Sequence, residues 1–171
     1  MIVVFEGPDG VGKTTLAKKV AARKDWHYTH SGRPTSIYDI QRTLTELEDL
    51  ALSKKIYLVD RHPGISDIVY SKALGRTLLT SLEELVKSWQ QMSFVVFCVA
   101  PVNDYKIDEG FKAHKPKEHL YHVKEQHDKI KQLYEDFFHS KKPFPWRRTN
   151  TRDDMDIDRM VQQIEQTIGG F

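Results

Sequence analysis

Cysteine is nearly missing from this chain: Cys98 is the single one among 171 residues, so a disulfide framework is excluded. It lies within Phe94-Val95-Val96-Phe97-Cys98-Val99, an apolar run that reads as a buried strand. A small core residue is therefore expected there rather than a reactive thiol, which fits a reducing compartment. Long hydrophobic runs are also lacking, with nothing near the roughly 18 apolar residues of a membrane span. No basic-then-apolar leader precedes the first apolar run, and the expectation is a soluble, cytoplasmic protein. Charge of one sign is in short supply, because 26 Lys and Arg face 24 Asp and Glu for a net +2. That balance argues against duplex nucleic acid or an acidic membrane as partner. Repeats and low-complexity tracts are absent, and Lys141-Lys142-Pro143-Phe144-Pro145 is the one Pro-rich linker. What remains is a single domain, 1–171, large enough to bury a core without structural metal.

The most informative segment is GPDGVGKTT at 7–15, which fits G-x-x-x-x-G-K-[ST] through Gly7, Gly12, Lys13 and Thr14. It follows Ile2-Val3-Val4-Phe5 and precedes a helical stripe of Leu16, Ala17, Val20 and Ala21. A strand feeding a glycine-rich turn feeding a helix aims backbone N–H groups and the positive helix end at one spot, where a polyphosphate is best stabilised. Gly7, Gly10, Val11, Gly12, Lys13, Thr14 and Thr15 are the candidate phosphate-binding residues. Lys13 is a point charge for β- and γ-phosphate oxygens and Thr14 a hydroxyl for Mg²⁺, so ATP and Mg²⁺ are the expected cofactors.

Short β-rich runs alternate with helical periodicity, the pattern of a parallel sheet covered by helices. Strands are expected at 1–6, 26–30, 56–60, 93–100 and about 146–150. Leu44, Leu47, Leu50 and Ala51 mark one helix; Ile65, Ile68, Val69 and Leu74 mark another. Leu82, Leu85, Val86 and Trp89 follow Thr80-Ser81, a capping signal with Glu83 and Glu84 behind it. The longest helix is expected from about Lys117 to His139, and a last one carries Ile157, Met160, Val161, Ile164 and Ile168. Plain core-facing stripes account for these patterns.

The strand at 56–60 ends in Asp60 and is followed by Arg61-His62-Pro63-Gly64. In an open parallel sheet the carboxyl ends of strands face the ligand crevice, which sets Asp60 and Arg61 beside the phosphate loop. Asp60 is an anion able to hold Mg²⁺ and Arg61 a fork suited to a second phosphate, against the plainer reading of a structural pair closing a strand. FEGPDGVGKTT, DRH at 60–62 and Ser66-Asp67-Ile68-Val69-Tyr70-Ser71 together resemble thymidylate kinases, the last against the family's S-x-x-x-Y-Q. His30-Ser31-Gly32-Arg33-Pro34-Thr35 is more loosely similar to that family's R-E-P-G-[GT] segment, and the resemblance covers the first half of the chain.

The resemblance implies an α/β P-loop kinase fold with a five-stranded parallel sheet, order 2-3-1-4-5, and helices on both faces. It implies that Lys13, Asp60 and Arg61 serve catalysis, that Thr14 and Asp60 hold the metal, and that Asp9, Arg33, Arg61, Ser66 and Tyr70 receive the acceptor. Asp9 would accept from the deoxyribose 3′-hydroxyl and Tyr70 would crowd a ribose C2′, although Asp is also at home in a glycine-rich turn. The family's longer stretch between the second and third strands, with its base-reading helix, is trimmed here, and with it the usual homodimer contact. Tyr38, Trp26 and His62 are the remaining candidates for stacking on a base, each equally a core or surface residue.

After the fourth strand, 104–119 turns polar and carries Lys106, Lys112, His114, Lys115, Lys117 and His119 without any arginine, which marks a candidate lid. Lys112, Lys115 and Lys117 are its candidate cations, with Arg33 as another source, against a plain solvated loop. Arg147 or Arg148 would stack on the donor adenine beside Asn150. The sequence is thus read as a nucleotide kinase moving the ATP γ-phosphoryl to a deoxynucleoside monophosphate, dTMP or a modified pyrimidine first, with small-molecule nucleotides as its partners. A compact viral member, working in host cytoplasm, is compatible with the size. Rival readings are a deoxynucleoside kinase, a kinase of modified pyrimidines free or in DNA, and a nucleotide-gated switch. The last lacks the guanine-reading N-K-x-D.

Overall fold

The computed structural model describes residues 1–90, 94–99, 123–140, 146–149 and 154–169. In chain order the elements are β1 (Ile2–Glu6), α1 (Lys13–Lys24), β2 (His27–His30), α2 (Ile37–Leu52), β3 (Tyr57–Asp60) and α3 (Pro63–Leu74). They continue as α4 (Leu82–Gln90), β4 (Phe94–Val99), α5 (His127–His139), β5 (Trp146–Thr149) and α6 (Asp154–Gly169). The strands form one sheet in the order β2-β3-β1-β4-β5, with every neighbouring pair parallel. None of the described helices is long and apolar enough to cross a membrane.

β1 reads as an unbroken apolar run because it is covered on both faces, and all five of its residues are buried. Successive side chains of a strand point to opposite faces, and the core divides accordingly. Ile2, Val4 and Val59 pack with Leu47 of α2, Ile65, Ile68 and Val69 of α3, Leu85 of α4 and Ile130, Tyr134, Phe137 and Phe138 of α5. Val3, Phe5 and Leu58 pack on the other side with Leu16, Ala17, Val20 and Ala21 of α1 and Ile157, Met160, Val161 and Ile164 of α6. Each fully buried aliphatic of this kind contributes about 1.5–3 kcal/mol relative to exposure.

Local chemistry sets the helix ends. α2 opens on a capping box in which Ser36 Oγ accepts from Asp39 N–H at 3.2 Å and Asp39 accepts from Ser36 N–H at 3.1 Å. Ahead of α4 the same reciprocal pair joins Ser81 and Glu84, at 3.1 and 2.8 Å, where the sequence carried a capping signal. α3 begins with Pro63 in its first turn and stops at Gly75, whose φ of 63° is open to glycine. Asp67, buried on α3, accepts from Leu79 and Thr80 N–H at 2.8 and 3.2 Å and so fastens the α3–α4 connection. The helix expected to run unbroken to His139 is interrupted. Residues 123–125 are helical, Gln126 turns at φ −97° and ψ 12°, and α5 starts afresh at His127. The stripe of Val123, His127 and Ile130 survives because all three are buried, but burial of a stripe does not demand an unbroken backbone ladder.

Candidate active site

The loop between β1 and α1 sits at the carboxyl edge of the central strand. Gly10 and Gly12 have φ of 77° and 88°, a region closed to most side chains, and Gly12 is the helix N-cap with no side-chain cap. The first turn of α1 carries no acidic residue of its own, which leaves the positive helix end unneutralised from within the helix. Val11 is buried and belongs to the α1-side core, which anchors the loop, whereas Thr14 and Thr15 are exposed. Lys13 is buried, and its Nζ donates to Pro8 O at 2.5 Å. Burial and then the Arg61 charge lower its pKa to about 8, against the pull of Asp9, Glu6 and Asp60.

Asp60 ends β3 beside that loop. Its Oδ2 accepts from Thr14 Oγ1 at 2.5 Å and Tyr28 OH at 3.2 Å and lies 3.2 Å from His30 Nδ1. Its Oδ1 is buried with no hydrogen-bond partner among the described residues. Burial works against ionisation, yet the hydrogen bonds from His30 and Thr14 and the charge of Lys13 prevail, bringing the carboxyl down to about 2. An orphaned carboxylate oxygen next to a hydroxyl is a donor set suited to a hard cation that keeps most of its own water. Among the described residues no group of three or more His, Cys, Asp and Glu side chains is arranged to hold a metal without such help.

Arg61 follows in the left-handed region, φ 76°, rare for a residue with a β-carbon. Its N–H continues the sheet ladder to Phe5 O at 3.0 Å, while the left-handed turn sends the side chain toward the loop. The guanidinium is ion-paired with Asp9, donates from Nη1 to Tyr70 OH at 3.5 Å and stands 5.4 Å from the centre of the Tyr70 ring. Tyr70 OH in turn donates to Asp9 Oδ2 at 2.9 Å. Burial opposes the Asp9 charge, but Arg61, Lys13 and the Tyr70 hydrogen bond hold its carboxyl below the usual range. Asp9, Arg61 and Tyr70, from three separate segments, thus form one closed triad at the β1–α1 loop.

Beneath them lies Glu6, fully buried. It accepts from Gly7 N–H at 3.2 Å, His62 N–H at 2.5 Å, Ser66 Oγ at 3.1 Å and Tyr134 OH at 2.9 Å. Burial pushes its carboxyl up, and the charges of Arg61 and Lys13 moderate the rise. This carboxylate ties the end of β1 to the start of α3 and to α5. The Tyr134 ring meets that of Tyr70 edge-on at 6.2 Å, linking the network to the triad above.

Of the remaining sequence candidates, Ser66 is buried and its hydroxyl donates to Glu6 at 3.1 Å. His62 is 1 % exposed, with burial depressing its pKa to about 3, so it has no face to offer a base. Trp26 packs against the α1-side core, and Tyr38 stands exposed on the first turn of α2. Arg148 is engaged with Glu135 of α5 at 2.7 Å, whereas Arg147 is exposed and donates to Trp146 O. Arg33 is exposed and lies within electrostatic reach of Arg76. The lid segment with Lys112, Lys115 and Lys117, and Asn150, lie outside the described residues. The sequence reading missed Tyr28, His30 and Tyr134; the first two are betrayed only by strand parity, once β2 is known to lie beside β3.

No protein-family model matches the chain. Solved structures resemble it along its whole length. A deoxyadenosine kinase from M. mycoides with dCMP and dCDP bound superposes with a TM-score of 0.64 at 15% identity, covering 99% of both chains. The YorR protein of Bacillus subtilis, in complex with phosphorylated GDP, gives 0.67 at 16% identity over 99% of this chain and 96% of its own. The mycoplasma kinase with dCTP bound gives 0.60 at 14% identity over the whole of both chains. At such identities the likeness is one of architecture: the chain shares the α/β fold of these proteins.

Proposed function

We propose that the chain is an ATP-dependent kinase that moves the γ-phosphoryl group to a deoxynucleoside monophosphate, with dTMP or a modified pyrimidine analogue as the first acceptor to test. The observation that carries this reading is the presence of two cations beside one glycine-rich loop: Lys13 at the start of α1, and Arg61, held by the loop's own Asp9 and by Tyr70. Phosphoryl transfer asks chiefly for positioning and charge neutralisation, which these residues supply. Lys13 leaves Pro8 O for the β- and γ-phosphate oxygens. Thr14 and Asp60 hold Mg²⁺, which when bound neutralises charge on the β- and γ-oxygens. Arg61 turns from Asp9 to the acceptor phosphate, freeing Asp9 for the 3′-hydroxyl, and Tyr70 stands against the sugar. Arg33 and the lid lysines Lys112, Lys115 and Lys117 are the further cations, and Arg147 with Asn150 the adenine side.

A deoxynucleoside acceptor is the second reading, favoured by the deoxyadenosine kinase among the structural neighbours. The two differ in one chemical need: a 5′-hydroxyl requires a general base, whereas a phosphate oxygen is already anionic. Asp60 is engaged by donors that depress its basicity, which supports the monophosphate. Coupled ADP release with Mg²⁺-ATP across dTMP, dUMP, hydroxymethyl-dUMP, dCMP, dGMP, thymidine, deoxyadenosine and single-stranded DNA decides the matter. Turnover with a monophosphate, lost in Lys13→Ala and weakened in Arg61→Ala, is expected. Turnover with nucleosides alone would replace the acceptor, and full activity in Lys13→Ala would overturn the phosphate-loop assignment.

A further inference from the structure

The kinase reading leaves the edge strand β2 without a task, yet two of its four side chains end on the carboxylate beside the phosphate loop. Tyr28 and His30 are two residues apart and so share one face of the strand. β2 pairs in register with β3, Tyr28 opposite Leu58 and His30 opposite Asp60, so that face is the one covered by α1. From there Tyr28 OH and His30 Nδ1 each reach Asp60 Oδ2 at 3.2 Å, and Thr14 Oγ1 reaches the same oxygen from the helix. Three donors converge on one oxygen while Oδ1 of the same group has none among the described residues.

A carboxylate held from one direction still swings about its Cβ–Cγ bond; donors arriving from a strand and a helix fix its plane. Tyr28 is itself held, half-buried against the α1 core with Lys18 Nζ 5.2 Å from the ring centre. Thr14, donating its proton to Oδ2, keeps its oxygen lone pairs for a cation. We propose that Tyr28 and His30 are positioning residues that lock Asp60 through Oδ2, so that Oδ1 is presented to the hydrated cation accompanying the triphosphate. The inference rests on the kinase reading above and adds to it a strand whose only chemical duty is aim.

The test uses the full chain with Mn²⁺ as the probe, its binding followed by electron paramagnetic resonance in the presence of a non-hydrolysable ATP analogue. Tyr28→Phe and His30→Ala each weaken Mn²⁺ binding, and together they weaken it by about 10–100-fold. The maximal rate falls with it while KM for the acceptor changes by no more than about twofold. His30→Asn, whose amide N–H stands in for Nδ1–H, recovers most of the loss. Tyr28→Phe keeps the ring and serves alone if the double variant fails to fold. Wild-type Mn²⁺ affinity in a folded double variant, or His30→Asn no better than His30→Ala, overturns the inference and leaves the kinase reading standing. A wild-type protein that binds no metal–nucleotide overturns both.

Discussion

Glu6 sits in the core with four donors turned toward it, and its pH behaviour follows from that balance. Burial raises its folded pKa above the ordinary 4.5, so its contribution to stability is complete below the unfolded pKa and declines as pH rises through the folded one. Glu6→Gln cannot ionise and lacks this slope, but turns an amide N–H toward donors, at a cost of about 2 kcal/mol near pH 5. The stability gap between wild type and variant should therefore narrow as pH rises from 5 to 8 in urea titrations; a gap that widens would contradict the raised pKa. Arg61 shows the other residue-scale device. A left-handed, non-glycine conformation costs about 1–3 kcal/mol and persists only where neighbours fix it. Here the ladder bond to Phe5 O and the ion pair with Asp9 do so.

Between elements, α3 and α4 approach closely at Gly64 and Leu85. Gly64, in the first turn of α3, has no space for a β-carbon because the buried Leu85 side chain of α4 already fills it. Gly64→Ala should destabilise by about 1–3 kcal/mol through overpacking. Leu85→Ala should be costly alone, yet the pair should lose less than the sum, with a coupling above about 0.5 kcal/mol in a double-mutant cycle. Additive losses would deny the contact. The capping signal before α4 was legible because the reciprocal Ser81–Glu84 bonds are local to four residues. The break at Gln126 was not, because an apolar stripe reports which side chains are buried and says nothing of the backbone bonds between them.

At the scale of the whole molecule, stability resides in the two core layers rather than in surface charge. Arg23–Asp158 and Lys24–Glu165 join α1 to α6 at 3.1 and 2.8 Å, but all four side chains are exposed and such pairs contribute little. A ligand that binds only the folded chain stabilises the whole of it. Mg²⁺-ATP at about 100 times its Kd should raise stability by ~2.7 kcal/mol, a melting shift of roughly 5–10 °C for a chain of this size. Lys13→Ala should melt near the unliganded wild type and show no such shift; a full shift in the variant would place the nucleotide elsewhere.

The glycine-rich turn after β1, the alternation of strands and helices and the placing of Asp60 and Arg61 at a strand end were all written in the sequence, because each depends on spacing within a few residues. Only the tertiary structure decided that Asp9, Arg61 and Tyr70 close on one another, that Ser66 and Tyr134 serve Glu6, and that Tyr28 and His30 reach Asp60. Apart from Arg61 and Tyr70, nine positions apart, those contacts join residues 30 to 128 positions apart, brought together when parallel strands pair in register and helices bury their stripes on both faces. A strand's parity is visible in its sequence, but which strand lies beside it is set by packing.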